Sequence, residues 1–190
     1  SCGGDSNIIG LVRDKFDDQI SAALQGINTG DILVFSAGSS ISSRDMTAEI
    51  LGHIGSPGVL AHGISIKPGK PTIIALVNEK PAFGLPGNPV SAVVVFDLIV
   101  RPTMYALMGC TEVPMMPMVI ARLSRDVPSI AGREDYVQVS LVPDGDSFLA
   151  HPVFGKSNLI YTMVRSTGVI KIPLDTGGLY RGAEVKVRVY

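Results

Sequence analysis

The sequence predicts an α/β domain with a parallel sheet, followed by a small, mostly β, barrel-like domain. Over residues 1–112, short runs of branched apolar residues alternate with amphipathic helical patterns, which is typical of a parallel sheet covered by helices. From residue 113 onward, strand-like runs separated by proline, glycine and Asp-Gly predominate, as in small barrels. With 46% hydrophobic and 17% charged residues, the chain has enough apolar material for both cores.

Hydrophobic periodicity places the elements of the first domain, residues 1–112. A helix is predicted after Asp14, which can cap its first turn. A second helix is predicted from about Arg44 to Ile54, and a long third helix after residues 84–89. Strands are predicted at 7–12, 32–35, 59–66, 72–77 and 82–85.

The second domain, residues 113–190, is predicted from strand-like runs and one hairpin signal. The segment Pro-Asp-Gly-Asp at 143–146 is typical of a tight β-turn. One short helix is expected within 157–165. Strands are predicted at 118–123, 135–142, 148–153, 168–173 and 183–190.

Charge and cysteine content narrow the classes of partner. Sixteen Lys and Arg against seventeen Asp and Glu give a net charge of −1, which favours neither nucleic acid nor an anionic membrane. The apolar stretch from Val90 to Leu107 contains Asp97, Arg101 and Pro102, so we expect a buried helix there. Two cysteines without metal-ligand spacing make a reducing cytoplasm the expected location.

The elbow GLPGNPVSA at residues 84–92 is the first candidate for binding chemistry. Its prolines stiffen the backbone, and Pro89 suits the first turn of a helix. Free N–H groups at Val90, Ser91 and Ala92, together with the helix dipole, favour an anion. The alternative is a stiff loop that only shapes the fold. The candidate residues here are Pro86, Gly87, Asn88 and Ser91.

The turn KPGKP at residues 67–71 is the second candidate. Pro68 and Gly69 hold Lys67 and Lys70 on a tight turn, so both ammonium groups can point at one place. Their mutual repulsion, roughly 1–4 kcal/mol, would be relieved by an anion between them. The alternative is a pair of solvated surface lysines.

The serine-rich loop at residues 36–43 is the third candidate, because its hydroxyls can bind phosphate or a polar heterocycle. Serines are also ordinary loop and cap residues. Asp45 follows the loop, either as an N-cap or first-turn residue or as a ligand of Mg²⁺ beside a phosphate. Arg133 and Ser157 lie on glycine-marked turns of the second domain, where surface roles are the alternative. The loop candidates are Ser36, Gly38 and Ser40.

The strings IKPGKP and FGLPGNPVSAVVVFDLIVRP resemble the molybdopterin molybdenumtransferase family (the MoeA/gephyrin E-domain family). The resemblance covers nearly the whole chain and includes SAGSSISSRDMTAEIL and VPSIAGREDYVQV. It implies that the first domain is a molybdopterin-binding fold and that the chain is a C-terminal fragment. The family's α/β domain begins with a strand ending in Thr-Gly-Asp-Glu that this sequence lacks, so the first domain is expected to be incomplete at its N-terminus.

The resemblance also implies a reaction. Family members insert molybdate into adenylylated molybdopterin with release of AMP, in the presence of a divalent metal such as Mg²⁺. It implies that Asp45 serves metal binding or catalysis and that Lys67, Lys70 and Ser91 line a molybdate pocket. Arg133 and Ser157 would be the second domain's contribution to that pocket. The loop departs from the family pattern at Ala37, Ser39 and Ser42.

The resemblance leaves two other functions open and sets expectations about partners. The alternatives are a molybdopterin adenylyltransferase and a non-catalytic module that binds molybdopterin or a partner protein. The full-length enzyme is expected to be a homodimer that contacts the molybdopterin adenylyltransferase. Without the family's other domains, this 190-residue chain is expected to be inactive alone. The sequence does not distinguish molybdate from tungstate.

Overall fold

The computed structural model describes residues 2–13, 15–36, 41–112, 114, 116–155 and 160–190, with the backbone alone at 41–44. The chain divides into two compact units. The first unit comprises Ser1–Ile64, Pro71–Gly87 and Val95–Val113, and the second comprises Ser65–Lys70, Asn88–Val94 and Pro114–Tyr190. The domain boundary between residues 112 and 113 stays a prediction.

The helices and strands follow one another along the chain in two groups. The elements up to the long helix are α1 (Phe16–Thr29), β1 (Leu33–Ser36), α2 (Ile41–His53), β2 (Pro57–His62), β3 (Ile66–Lys67), β4 (Ile73–Val77), β5 (Lys80–Leu85), α3 (Pro89–Val95), a π-helical turn (Phe96–Val100) and α4 (Arg101–Leu107). The later elements are β6 (Met118–Leu123), β7 (Val127–Pro128), β8 (Glu134–Asp144), β9 (Ser147–Pro152), α5 (Tyr161–Val164), β10 (Gly168–Ile172), β11 (Gly178–Leu179) and β12 (Glu184–Val189).

The first unit is built on a four-stranded sheet in the order β1-β5-β4-β2. The prediction of an α/β domain is confirmed, but the sheet is mixed: β1 and β5 are parallel, whereas β5–β4 and β4–β2 are antiparallel. The reason is the connection between β4 and β5. It consists of Asn78 and Glu79, both with positive φ (48° and 68°), and a two-residue turn of this kind joins antiparallel strands only.

Two helices cover this sheet with their apolar faces. The core of the unit takes alternate residues of β4 and one face each of α1 and α2, as the helical spacing predicts. Its most buried members are Ala23, Ile27, Leu33, Ile50, Leu51, Ile73, Ala75, Val77 and Ala82. The strand predicted at 7–12 is wrong: the segment is irregular, and the Ile8 and Leu11 side chains are exposed. Apolar alternation there has no neighbouring strand to pair with.

A lysine ties the end of α1 to the sheet. The Nζ atom of Lys80, at the start of β5, donates to the carbonyl oxygens of Ile27 (2.7 Å) and Gly30 (3.0 Å). These carbonyls lie at the negative end of the helix dipole, where a cation is favourable. The ammonium group therefore helps to fix the position at which the chain leaves α1 and enters β1.

The long helix, defined as Pro89–Leu107, runs continuously through α3, the π-helical turn and α4. In the π-helical turn, the Arg101 N–H donates to the Phe96 carbonyl, and the Arg101 side chain pairs with Asp97 at 2.8 Å. By length and composition the helix could cross a membrane, but a core helix of a soluble protein meets the same criterion. Val90, Val94, Val95 and Val100 are buried, but only 28% of an 18-residue window of the helix is buried, so the expectation of a buried helix is met only in part.

The second unit contains the predicted β barrel. Strands β6, β12, β10, β8 and β9 pair in succession, and a parallel β6–β9 pairing closes the barrel. The hairpin predicted at 143–146 joins β8 to β9. Strand β3 adds to β8 in parallel, outside the closed ring. The barrel interior is filled by residues including Leu123, Val127, Val139, Ala150, Ile170, Ile172 and Val187.

Candidate functional site

The centre of the candidate site is a buried carboxylate that faces two cations, and we call Lys67, Arg133 and Asp135 the Asp135 cluster. The Arg133 guanidinium donates from Nε to Asp135 Oδ1 (2.8 Å) and from Nη2 to Oδ2 (3.4 Å). The Nζ atom of Lys67 lies 3.9 Å from the same Oδ2. Asp135 is only 3% exposed, whereas the Lys67 side chain is 60% exposed. Two positive charges thus share one negative charge that is shielded from water.

Strand pairing brings these residues together. In the parallel β3–β8 register, Lys67 lies beside Asp135, and the Glu134 N–H donates to the Ser65 carbonyl at 2.9 Å. Arg133 precedes β8 by one residue, and residues two apart in a strand share a face. The pairing therefore brings Lys67 and Arg133, far apart in sequence, to one carboxylate in the second unit.

A second ionic group occupies the other face of the same strand. Glu134 pairs with Lys171 on β10 and accepts a hydrogen bond from the Tyr136 hydroxyl at 2.7 Å. The bond from Lys171, followed by that from Tyr136, lowers the pKa of Glu134 against the opposing effect of burial. Burial, then the bond to Glu134, raises the pKa of Tyr136. Both faces at the start of β8 are therefore held by polar contacts.

The lysine turn itself is as tight as the sequence predicts. The Lys67–Pro68 peptide bond is cis, and Gly69 has a φ of 121°, a value that favours glycine. Lys70 is exposed and belongs to the same compact unit as the Asp135 cluster. That both ammonium groups face one ligand remains a prediction.

The elbow differs in detail from the prediction. The long helix begins at Pro89 as expected, and the Ala92 N–H donates to the Asn88 carbonyl at 2.9 Å, which leaves the N–H groups of Val90 and Ser91 without an acceptor one helical turn earlier. Ser91 is 4% exposed, and Asn88 and Ser91 belong to the second unit.

Neither glycine of the elbow needs a left-handed backbone. Positive φ values occur at ten other glycines of the described chain, and Gly84 and Gly87 are not among them. A Cβ on Gly84 would lie 3.1 Å from Ile73 Cβ and 3.2 Å from Thr47 Cγ2. A side chain at Gly84 would therefore need its neighbours to shift by a few tenths of an ångström. Pro86 is buried, and Gly87 is exposed. Neither glycine therefore supplies a left-handed backbone at the elbow.

The remaining predicted residues lie in the first unit or outside the described chain. Ser36 ends β1 and is exposed, and Asp45 is an exposed residue of α2. Because α2 begins at Ile41, Asp45 lies beyond its first turn, so the reading of Asp45 as a helix cap is wrong. Gly38, Ser40 and Ser157 fall outside the described residues.

Metal-binding potential in the described part of the chain is limited. Across the described ranges no group of three His, Cys, Asp or Glu side chains is arranged to hold an ion. A cavity of about 300 Å³ lies elsewhere in the second unit, where Arg122, Asp144 and Arg181 contribute to its wall. None of the predicted site residues that the structure describes lines it, so the candidate site is defined by charge and burial.

Asp135 is the member of the site that sequence reasoning missed. The string AGRED shows an acid two residues after Arg133, at the start of a predicted strand, and this i, i+2 spacing puts both residues on one face. What the sequence does not reveal is that β3 pairs with β8 at this point, which puts Lys67 beside Asp135, and that the carboxylate is buried. A charged residue at a strand start is usually assumed to be solvated.

Family comparisons cover both parts of the chain. Residues 2–106 match a family model described as "Probable molybdopterin binding domain", and residues 120–190 match "MoeA C-terminal region (domain IV)". A Methanocaldococcus jannaschii protein named for molybdopterin biosynthesis is 30% identical over 186 residues, covering 97% of this chain and 43% of the relative. The Bacillus subtilis molybdopterin molybdenumtransferase is 27% identical over 180 residues, covering 94% and 41%. The chain thus spans about two fifths of these curated relatives.

Solved structures show the same fold over nearly the full chain. The crystal structure of a molybdopterin biosynthesis MoeA protein from Pyrococcus horikoshii matches with a TM-score of 0.81 and 33% identity, covering 98% of this chain and 44% of that one. A molybdenum cofactor biosynthesis protein from Pyrococcus furiosus matches with a TM-score of 0.72 and 29% identity, covering 94% and 56%.

Proposed function

Because the chain belongs to the MoeA family, with a molybdopterin-binding domain and a MoeA C-terminal domain, we propose that it binds molybdate for insertion into adenylylated molybdopterin. Molybdopterin binding and cofactor biosynthesis are the family's shared role. The insertion step is the part proposed for this chain. One observation carries it: Lys67 and Arg133 converge on a single buried carboxylate in the unit that also holds Ser91.

The charges of this unit suit a tetrahedral dianion. Lys67, Lys70 and Arg133 supply three positive charges and Asp135 one negative charge, so two net positive charges remain to match a dianion. An arginine presents a planar fork of donors, and lysine adds rotatable donors. The Ser91 hydroxyl and the N–H groups in the first turn of the long helix would add further directed donors. Such preorganised donors act mainly by positioning the oxyanion and stabilising its charge.

Asp45 is the proposed contact for Mg²⁺. A magnesium ion typically takes one or two carboxylates from the protein and its other ligands from substrate phosphates and water. Asp45 is exposed and can provide one such carboxylate, which fits this role although it does not form a complete protein site. When bound, the ion would polarise the phosphoanhydride of adenylylated molybdopterin. Ser36, together with Gly38 and Ser40, would contact the pterin substrate.

The proposed activity is that of a longer protein that includes this chain. The chain spans about two fifths of its curated relatives, so catalysis is proposed for a longer protein, acting as a cytoplasmic homodimer in contact with the adenylyltransferase. The match of residues 120–190 to the MoeA C-terminal region supports this role over adenylyl transfer, for which no such domain is expected. Measurable cofactor synthesis by the 190-residue chain would contradict the expectation that it is inactive alone.

The direct test is oxyanion binding by this chain, measured by isothermal titration calorimetry with sodium molybdate. In a Lys67→Ala, Lys70→Ala double variant, we expect affinity to fall by roughly thirtyfold to several hundredfold. Each ammonium contributes roughly 1–2 kcal/mol toward a dianion at a wet surface, and about 1.4 kcal/mol corresponds to tenfold.

A matched control removes two exposed positive charges, one lysine and one arginine, elsewhere in the second unit. Lys171→Ala would disturb Glu134, so the control is the Lys186→Ala, Arg181→Ala double variant. It changes the net charge of the protein by the same amount as the Lys67→Ala, Lys70→Ala variant. Equal molybdate affinity in the wild type and the Lys67→Ala, Lys70→Ala variant would refute the pocket. Formation of adenylylated molybdopterin from ATP and molybdopterin would instead favour the adenylyltransferase.

A further inference from the structure

We propose that Asp135 is a built-in competitor for the oxyanion: its carboxylate occupies Lys67 and Arg133 and so keeps the pocket's affinity moderate. The inference rests on the proposed function, because it concerns the same pocket. It adds to the proposed function a statement about affinity: Asp135 makes oxyanion binding weaker, whereas a residue that only oriented the cations would make it stronger.

The two contacts of the carboxylate are unequal. Arg133 makes a short bond to Oδ1 and a longer one to Oδ2 (2.8 and 3.4 Å), so it is held firmly. Lys67 Nζ, at 3.9 Å, is beyond hydrogen-bonding distance. The lysine is therefore paired by charge alone, and its exposed ammonium can turn toward an incoming anion without breaking a hydrogen bond.

The cations still have donors for a ligand. A guanidinium carries five N–H groups, and the two bonds to Asp135 use two of them. The ammonium of Lys67 has three more. A tetrahedral dianion can therefore contact both cations while Asp135 remains in place, but it does so against the repulsion of a fixed, buried negative charge.

This arrangement predicts the direction in which removal of the Asp135 charge changes the affinity for an oxyanion. Replacing Asp135 by asparagine keeps the side chain's size but removes its charge, which leaves the Arg133 guanidinium, 31% exposed, without its counterion in the free protein. An oxyanion would restore that lost pairing. Binding should then be tighter, because the substitution destabilises the free state more than the bound state. If Asp135 only oriented Arg133, its removal would weaken binding.

A moderate affinity for molybdate suits a protein that must pass the bound anion on to another molecule. Molybdate that is to be inserted must leave its donors for the dithiolene of molybdopterin. As the anion departs, the Lys67 ammonium can turn back to Asp135, and this renewed pairing lowers the cost of release.

The experiment compares the wild-type chain with Asp135→Asn by calorimetric titration with sodium molybdate and, separately, sodium sulfate at constant ionic strength. We expect roughly tenfold tighter binding of both anions by the variant. Thermal unfolding without anion should begin at a lower temperature in the variant, and added sulfate should raise its midpoint by more than it raises that of the wild type.

Two further variants make the readout specific. Asp175→Asn, which removes an exposed carboxylate in the same unit, controls for the change in net charge and should leave affinity unchanged. An Arg133→Gln, Asp135→Asn double variant should lose the gain, because the guanidinium that recruits the anion is absent. Should Asp135→Asn fail to fold, carboxyl ¹³C NMR of the wild type replaces it: the Asp135 signal should move when sulfate is added.

The outcomes separate the two proposals. Unchanged or weaker binding by Asp135→Asn, or a static Asp135 carboxyl signal in anion-bound wild type, would overturn the competitor role while leaving the pocket intact. Wild-type binding of sulfate but not molybdate would count against the proposed function, and the sulfate titrations would still decide the role of Asp135. Binding of neither anion by either protein would overturn both.

Discussion

The contact of Lys80 with the end of α1 gives a prediction whose size can be worked out from the structure. The substitution is Lys80→Met, which keeps most of the side-chain stem and removes the ammonium. Two charge-assisted hydrogen bonds, at 2.7 and 3.0 Å, would be lost, and two carbonyls at the helix end would lose their donor. Hydrogen bonds to charged groups contribute about 1.5–3 kcal/mol each when buried.

The site is only partly buried, so the expected loss is smaller than the sum of two buried bonds. We expect the free energy of unfolding to fall by about 2 kcal/mol. With a denaturant slope near 2 kcal/mol/M, the urea midpoint should move down by about 1 M. Urea titration followed by circular dichroism measures this shift.

Two controls define what would refute the reasoning. Lys186→Met removes an exposed lysine from β12 and should change stability by less than about 0.5 kcal/mol. Lys80→Arg should retain part of the stabilisation because it keeps the charge. A midpoint for Lys80→Met within error of the Lys186→Met midpoint would show that the helix-end contact does not stabilise the first unit.

Two other predictions concern pH and the tight turn. Because the pKa of Glu134 is lowered in the folded protein, its contribution to the free energy of unfolding is complete above about pH 4.5 and is lost as pH falls. Lys171→Met removes the largest cause of this shift, so urea titrations should show a smaller loss of stability at low pH in the variant than in the wild type. An equal loss in both proteins would contradict the ion pair. Because the pKa of Tyr136 is raised, stability should fall as pH rises above about 10, and Tyr136→Phe should abolish that fall. At the turn, Asn78→Ala should cost about 1–2 kcal/mol, because alanine disfavours a φ of 48° and the bond from the Ser56 N–H to Asn78 Oδ1 is lost. Glu79→Gly is the matched control and should cost nothing; equal urea midpoints for the two variants would refute the strain argument.

Local pattern predicted most of the elements because their periodicity is strong. The run at 118–123 is observed as β6 with the same bounds, and the hairpin at 143–146 is confirmed. The antiparallel pairing of β4 with β5 could have been predicted from the sequence, because residues 78–80 are too few for a crossover between parallel strands. The strand predicted at 7–12 failed because alternation shows only that a segment could pair, and pairing depends on a neighbour elsewhere in the chain.

The candidate site could be predicted only in part for the same reason. Lys67 and Arg133 were found from their turns and from family resemblance. Asp135 was not found, because its ionic contact with Lys67 depends on β3, a two-residue strand that pairs with β8 across a long stretch of sequence. A cation and a carboxylate brought together by distant pairing leave no local pattern, so their partnership becomes visible only in three dimensions.

The assignment of β3 to the barrel unit has a consequence for modular evolution. The polypeptide passes from one unit to the other after residues 64, 70, 87, 94 and 113. A recombination event at residue 113 would give the new protein β8 without β3. Asp135 would then lack the contact with Lys67. Residues 65–70 and 88–94 should therefore be inherited together with residues 114–190, although segments of the first unit alternate with them in the sequence.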